Sequence, residues 1–428
     1  MRIIFIIAVW MASYSGIQAQ SVYEEIMQDA RYSAGNGAYY PEPAEDGLTA
    51  PPAGKKAFYI SHYGSHGARY LNTAEDYEAP LTVLLRADSA GCLTPLGRDV
   101  MHRLETIKNA VNERWGELTD LGAQQQRDIM RRMINRFPDV YLDNTYIEGR
   151  STSTTRCILS MVNAVTQAAQ MRNLQFYQNA TQRDMHYMNM QIRRLFSLRL
   201  DRRSQDVYNA FAAKYAGFDR LLSTFISDTA YARHQIDADL FARDLFRVAG
   251  NVQNLELRDT LMLFDLFTTD ELYRLWKREN AWVYINNGAA TTNGGQKPFS
   301  QRNLLQKMIE MADSSMKNRE RLVQLRYGEA DGIIPLVCLL EAGCYGLATD
   351  DLESLDSLGW VDYRISPAGA NLQIVFYREN SKDEDVLLKV LLNEREITLP
   401  LPTDMPPYYH WHDFRNYYLK KLDDYSKK

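Results

Sequence analysis

At 428 residues the chain is long enough for one large domain or two ordinary ones. With 45% hydrophobic and 24% charged residues, it has the composition of a soluble globular protein able to bury a sizeable core. A formal net charge of −5 argues against a general nucleic-acid binder, which needs a basic face, but leaves room for one locally basic pocket.

In chain order, residues 1–19 read as a secretory signal. Arg2 precedes an apolar run from Ile3 to Met11, and small residues lead to a cleavage point after Ala19. The run is too short to span a bilayer, and no Cys near the cleavage point could carry a lipid. The mature chain is therefore expected to begin near Gln20, to be periplasmic or secreted, and not to insert into a membrane. Residues 20–55, rich in Pro, Gly and Ala, read as an irregular lead-in. "KAFYISHYG" follows as a strand that enters a loop where small residues surround His66. In "LTDLGAQQQRDIMRRMINRFP", Thr119 is a candidate helix cap, with helical spacing at Leu121, Ile129, Met133 and Ile134. "NTYIEGRSTSTTRCILSMVNAVTQAAQM" reads as a short strand, a Ser/Thr-rich turn and a helix. From about 190 to 285 the pattern is mostly helical, and "GAATTNGGQKP" is a loop by composition. "RLVQLRYGEADGIIPLVCLLEAG" gives another strand, a Gly-bearing turn and an apolar helix; "ANLQIVFYREN" and "DVLLKVLLNEREITLP" are strand-like.

Strand–loop–helix units at both ends around a helical middle predict an α/β sheet domain with a helical insertion. The expected division is a core from 20–160 and 305–428, with a mainly α-helical cap from 161–304. The cysteines Cys92, Cys157, Cys338 and Cys344 fit no zinc spacing. Cys338 and Cys344 could pair if Gly343 lets the chain fold back; burial as small apolar residues is the other reading.

Three strand-to-helix loops carry the unusual residues: Ser65 to Arg69, Arg150 to Arg156, and Gly328 to Asp331. In an open α/β sheet such loops gather at the carboxyl ends of the strands, where ligands bind. Together they offer an imidazole, guanidiniums and carboxylates, the groups that phosphoryl transfer from a monoester requires. Arg suits a phosphoryl group because its planar fork donates two parallel hydrogen bonds.

Ser65-His66-Gly67-Ala68-Arg69-Tyr70-Leu71 resembles the Arg-His-Gly-x-Arg-x-Pro motif of the histidine acid phosphatases. "LTDLGAQQ" at 118–125 resembles a helix-start motif of that family, and "STSTTRC" at 151–157 the segment supplying a further phosphate-binding Arg, here Arg156. "LRYGEADGIIPL" resembles the family's His-Ala-Glu or His-Asp loop, and the C-terminal strands are closest to bacterial multiple inositol polyphosphate phosphatases. The resemblance implies a histidine-phosphatase-like doubly wound sheet core with an inserted α-helical cap domain. It also implies a two-step mechanism without metal or other cofactor, acting on a phosphorylated small molecule such as an inositol polyphosphate. His66 would attack phosphorus to form a phosphohistidine, Arg69 and Arg156 would hold the phosphoryl oxygens, and Asp331 would protonate the leaving alcohol. Gly67 would let the backbone fix the imidazole tautomer.

The chain departs from that pattern at two positions. Ser65 stands where the motif has Arg, and Glu329 where the other loop has His. Losing one preorganised donor costs roughly 10²–10³ in rate; two losses imply about 10⁴–10⁶, with little additivity to rely on. Repulsion between Glu329 and a dianion adds to this unless Glu329 is protonated or paired with Arg69 or Arg326, and in the first case activity would rise as pH falls. His62 could swing in as a substitute donor. The reading is therefore an exported phosphomonoesterase of this type, weak or altered, against a non-catalytic relative that binds a ligand or partner in the old cleft. Four simpler features stay open: Arg150 and Arg156 as solvated charges, Glu329 and Asp331 as helix N-terminal acids, "HWH" at 410–412 as packing or a zinc pair on a strand, and the arginines of 127–136 and 193–203 as solvated faces or a polyphosphate pocket.

Overall fold

Parallel strands covered on both faces are apolar almost without interruption, and this property places β1 (Lys56–Ser65) at the centre of the sheet, buried from its second residue onward. The structure is a computed structural model that describes residues 21–42, 47–188, 201–318 and 322–427. The expected signal segment and most of the arginine-rich stretch 193–203 lie outside the described residues.

Parallel to β1 on one side runs β4 (Leu322–Gly328), followed by β2 (Tyr146–Ser151) and β3 (Gln175–Asn179). On its other side β5 (Asn371–Arg378) and β6 (Leu387–Leu392) are antiparallel, with β7 (Arg395–Glu396) and β8 (Tyr409–His410) both pairing with β6. The register places Ser65 beside Gly328 and Ser151 beside Tyr327, so three strands end level and their loops emerge along one edge.

Helices cover both faces. Helix α1 (Val22–Gln28) lies in the N-terminal lead-in; α2 (Ala74–Ser89), α3 (Pro95–Ala110) and α4 (Asp120–Arg136) follow β1, and α5 (Thr155–Met171) follows β2. Met130, Met133 and Ile134 of α4 and Met161 and Val165 of α5 bury one sheet face with Ile60, Val323 and Val375. Between β3 and β4 the described elements are all helical, and include α6 (Ala238–Val252), α7 (Thr269–Asn287) and α8 (Arg302–Asn318). The other face packs on α8, on α9 (Ala330–Leu339) and on α11 (Trp411–Ser426), which α10 (Asp362–Ile365) precedes in the chain; Tyr59, Tyr63, Leu304, Met308, Ile333, Phe376 and Phe414 meet there. A separate apolar cluster joins α2, α3, α6 and α7 away from the sheet.

Thr119 caps α4, its hydroxyl accepting from Gly122 N at 3.1 Å. The lead-in is more regular than its composition predicts, because Ser21 and Glu24 form a reciprocal capping box that starts α1. "GAATTNGGQKP" folds into short 3-10 turns at 291–293 and 297–301. The "HWH" stretch is not extended: His410 caps α11 and the next two residues open the helix, so the imidazoles do not share one side of a strand. His410 pairs with Asp385 at 2.8 Å. All four cysteines are unpaired, with Cys338 buried and Cys344 exposed. Among the described residues, no helix is long and apolar enough to cross a membrane.

Candidate active site

The turn after β1 is built by backbone-to-backbone packing on the start of α4. A Cβ on Gly67 would lie 2.3 Å from the Gly122 carbonyl oxygen, and one on Gly122 would lie 2.1 Å from the Ala68 carbonyl oxygen. Only two glycines allow that approach. The Thr119 amide and hydroxyl both donate to Ala68 O, at 2.9 and 3.0 Å, and Ala68 N donates to Gln125 Oε1 at 2.8 Å. Gly67 N donates to Ser160 Oγ at 3.2 Å, and Ser160 Oγ in turn donates to Arg156 O at 2.8 Å. Two more main-chain bonds fix His66: its N to Gly328 O at 3.2 Å, and Gly369 N to its O at 3.0 Å. Gln125 and Ser160 were not singled out from the sequence, although Gln125 lies inside "LTDLGAQQ" and Ser160 one helical turn after Arg156.

Held in this way, the buried His66 ring sits with Nδ1 2.8 Å from Gly67 O and Nε2 3.3 Å from Glu329 Oε2. The carbonyl can only accept, so Nδ1 carries a hydrogen. Nε2 can donate to Glu329 only in the imidazolium form. The same Glu329 oxygen accepts from Arg156 Nη2 at 2.8 Å and from Arg156 Nε at 3.3 Å, and Cys157 Sγ lies 3.6 Å from Glu329 Oε1. Burial pushes the Glu329 carboxyl up, but the His66 hydrogen bond and the charges of His66 and Arg156 outweigh it and hold it well below the usual carboxylate range. Burial, then the Glu329 charge, pushes the Cys157 thiol up to about 12.

The candidate residues therefore separate. His66, Arg156 and Glu329 are in direct contact. Arg69 donates to Tyr70 O at 2.8 Å and has no carboxylate in ion-pair range among the described residues; burial and the Arg156 charge lower its pKa, with Glu329 opposing. Asp331 is exposed in the first turn of α9. The Ser65 hydroxyl is spent on the backbone, 3.3 Å from both His66 O and Ala370 O. The partner of Glu329 is Arg156, neither Arg69 nor Arg326; Arg326 is buried in the sheet, donating to Ser61 Oγ and Gln324 Oε1 at 3.0 Å each. His62 is no substitute donor to the cleft. It is buried against Tyr327, and burial, aided by the Arg326 charge, lowers its pKa to about 3. Arg150 is bound by Glu148 and Asp184. Arg132 and Arg136 both hold the buried Glu394, and neither is a solvated charge.

No protein-family model matches the chain, and no curated protein matches it by sequence. Solved structures do. The multiple inositol polyphosphate phosphatase of Bifidobacterium longum, in complex with inositol hexasulfate, superimposes with a TM-score of 0.70 at 16% identity, covering 89% of this chain and 96% of that one. Its complex with phosphate gives 0.72 at 15%, covering 92% and 98%. The phytase from D. castellii gives 0.71 at 14%, covering 97% and 90%. The chain has the α/β fold of these phosphatases, a central sheet with helices on both faces.

Proposed function

We propose that the chain is an exported, non-hydrolytic relative of the inositol polyphosphate phosphatases, one that binds a ligand in the former catalytic cleft. The observation that carries this reading is the Glu329 carboxylate between Arg156 and His66. It stands where the Arg156 guanidinium and the His66 imidazole would otherwise meet a phosphoryl group, 2.8 Å from Arg156 Nη2 and 3.3 Å from His66 Nε2. A phosphate dianion would have to displace a carboxylate that is already ionised and doubly bonded. The His66 nitrogen needed for attack on phosphorus is the one turned to Glu329, whose carboxylate stands 3.3 Å from it in the path of a phosphoryl group. The two altered positions thus act together. Ser65 contributes no cation, and Glu329 neutralises one of those that remain.

A second reading is a weak phosphomonoesterase acting through a phosphohistidine at His66, with Asp331 as proton donor. One observation favours it: the Nδ1–Gly67 hydrogen bond leaves Nε2 as the attacking nitrogen whenever Glu329 moves away. Phosphate release from phytate and from an aryl phosphate, measured on the wild type and on His66→Ala, separates the two. The non-hydrolytic reading expects equal background rates. Turnover that His66→Ala abolishes, with an unchanged melting temperature, would establish the second.

A further inference from the structure

Asp362 opens α10 and is fully buried. Its Oδ1 accepts from Trp276 Nε1 at 3.0 Å and from Tyr363 N at 2.8 Å, while its Oδ2 has no hydrogen-bond partner among the described residues. That bare oxygen faces Gly35. A Cβ on Gly35 would lie 2.5 Å from it, and Gly35 holds φ +58°, ψ −126° at a kink in the lead-in. The charged groups around Asp362 are few. Helix α7 presents Glu279, whose own surroundings include Arg243, Arg247 and Arg278. Helix α1 presents Glu25, bound by Tyr363 and Arg364 of α10. Among the described residues no cation pairs with the Asp362 carboxylate.

A buried, unpaired carboxylate oxygen is costly when ionised and much less so when neutral. Burial pushes the Asp362 carboxyl up from an ordinary 3.8 to about 7; the Trp276 and Tyr363 hydrogen bonds oppose this and the Glu279 charge adds to it.

The position of this acid gives it a lever. The segment 21–40 is fastened here by Asn254 Nδ2 donating to Gly37 O at 2.9 Å and by Ala368 N donating to Ala38 O at 3.0 Å. The next residues beyond Ala368 hold the candidate active site, through Gly369 N to His66 O and Ser65 N to Ala370 O. We propose that Asp362 is a proton-controlled latch: neutral, it lies against Gly35 and holds the segment 21–40 down, and ionised, it draws in water and releases that segment next to the strand that supports His66. A group whose folded pKa is raised contributes stability that is complete below its unfolded value and is lost as pH rises through the folded value. The window here runs from about 4 to about 7. Within it, opening becomes about tenfold easier per pH unit.

The test is amide hydrogen exchange of residues 30–38 in the full chain at pH 5, 6, 7 and 8, corrected for the intrinsic rate. The wild type should lose protection by about tenfold per unit up to pH 7 and then level off. Asp362→Asn, which cannot ionise, should keep protection constant. Should that variant fail to fold, Glu279→Gln gives the reading: with the neighbouring charge gone, the levelling-off point moves to lower pH. Constant protection in the wild type, an unchanged slope in Asp362→Asn, or an unmoved point in Glu279→Gln would each overturn the latch. None of these readouts involves hydrolysis, so they are independent of what the cleft does.

Discussion

Glu329 is an acid whose charge is fixed by its neighbours. Its folded pKa is depressed, so its ionisation contributes stability above its ordinary value, lost only as pH falls through the much lower folded one. The relief by acid that the sequence invites should therefore not occur: any residual turnover should not rise from pH 7 to pH 4, and a rise over that range would show that Glu329 protonates early. Glu329→Gln leaves Arg156 and His66 short of an ionised partner, and should lower stability at neutral pH by roughly 1–3 kcal/mol in denaturant unfolding. It should also bind inositol hexasulfate at least about tenfold more tightly at low salt in titration calorimetry, because one repulsive charge is gone. Equal affinities would mean that the carboxylate does not occupy the anion's place.

At the scale of elements, the junction between β1 and α4 rests on the contact of Gly67 with Gly122. Gly122→Ala would force a methyl into the Ala68 carbonyl, which has no flexible end to give way. A loss of about 3 kcal/mol is expected, at the upper end for overpacking, read as a lower midpoint in thermal or denaturant unfolding. An unaltered midpoint would mean that the two segments can separate freely. This junction was partly legible in the sequence: the Thr119 cap and the strand leading to His66 are local features with local causes, whereas the Gly67–Gly122 contact joins two segments and was not. Helices α2, α3 and α11 were not assigned, and α2 carries Pro80 within an otherwise apolar stripe of Tyr77, Leu81 and Leu84. Motif comparison picked out Ser65 and Glu329 as departures. It could not supply the Glu329–Arg156 pair, which joins residues 173 apart in the chain, nor the backbone bonds that consume the Ser65 hydroxyl. Those depend on how strands β1, β2 and β4 align, and that is set by the whole sheet.

For the whole molecule, the fold places three loops at one edge of a sheet and brings charges of both signs there. Arg156 pairs with Glu329, while Arg69 donates to Tyr70 O and Asp331 is exposed in the first turn of α9. A phosphoryl dianion needs a surplus of cations, and neither Ser65 nor Glu329 supplies one. The backbone around His66 is nevertheless held in place by Gln125, Ser160 and Gly369. On the proposed non-hydrolytic reading, Glu329 and the missing cation at Ser65 together keep the cleft from holding a phosphoryl group. The measurement that tests this most directly is phosphate release from phytate by the double variant Ser65→Arg, Glu329→His beside the wild type. A silent wild type is expected, beside a double variant whose turnover disappears when His66→Ala is added. Turnover by the wild type that depends on His66, or a double variant that folds and stays silent, would contradict it.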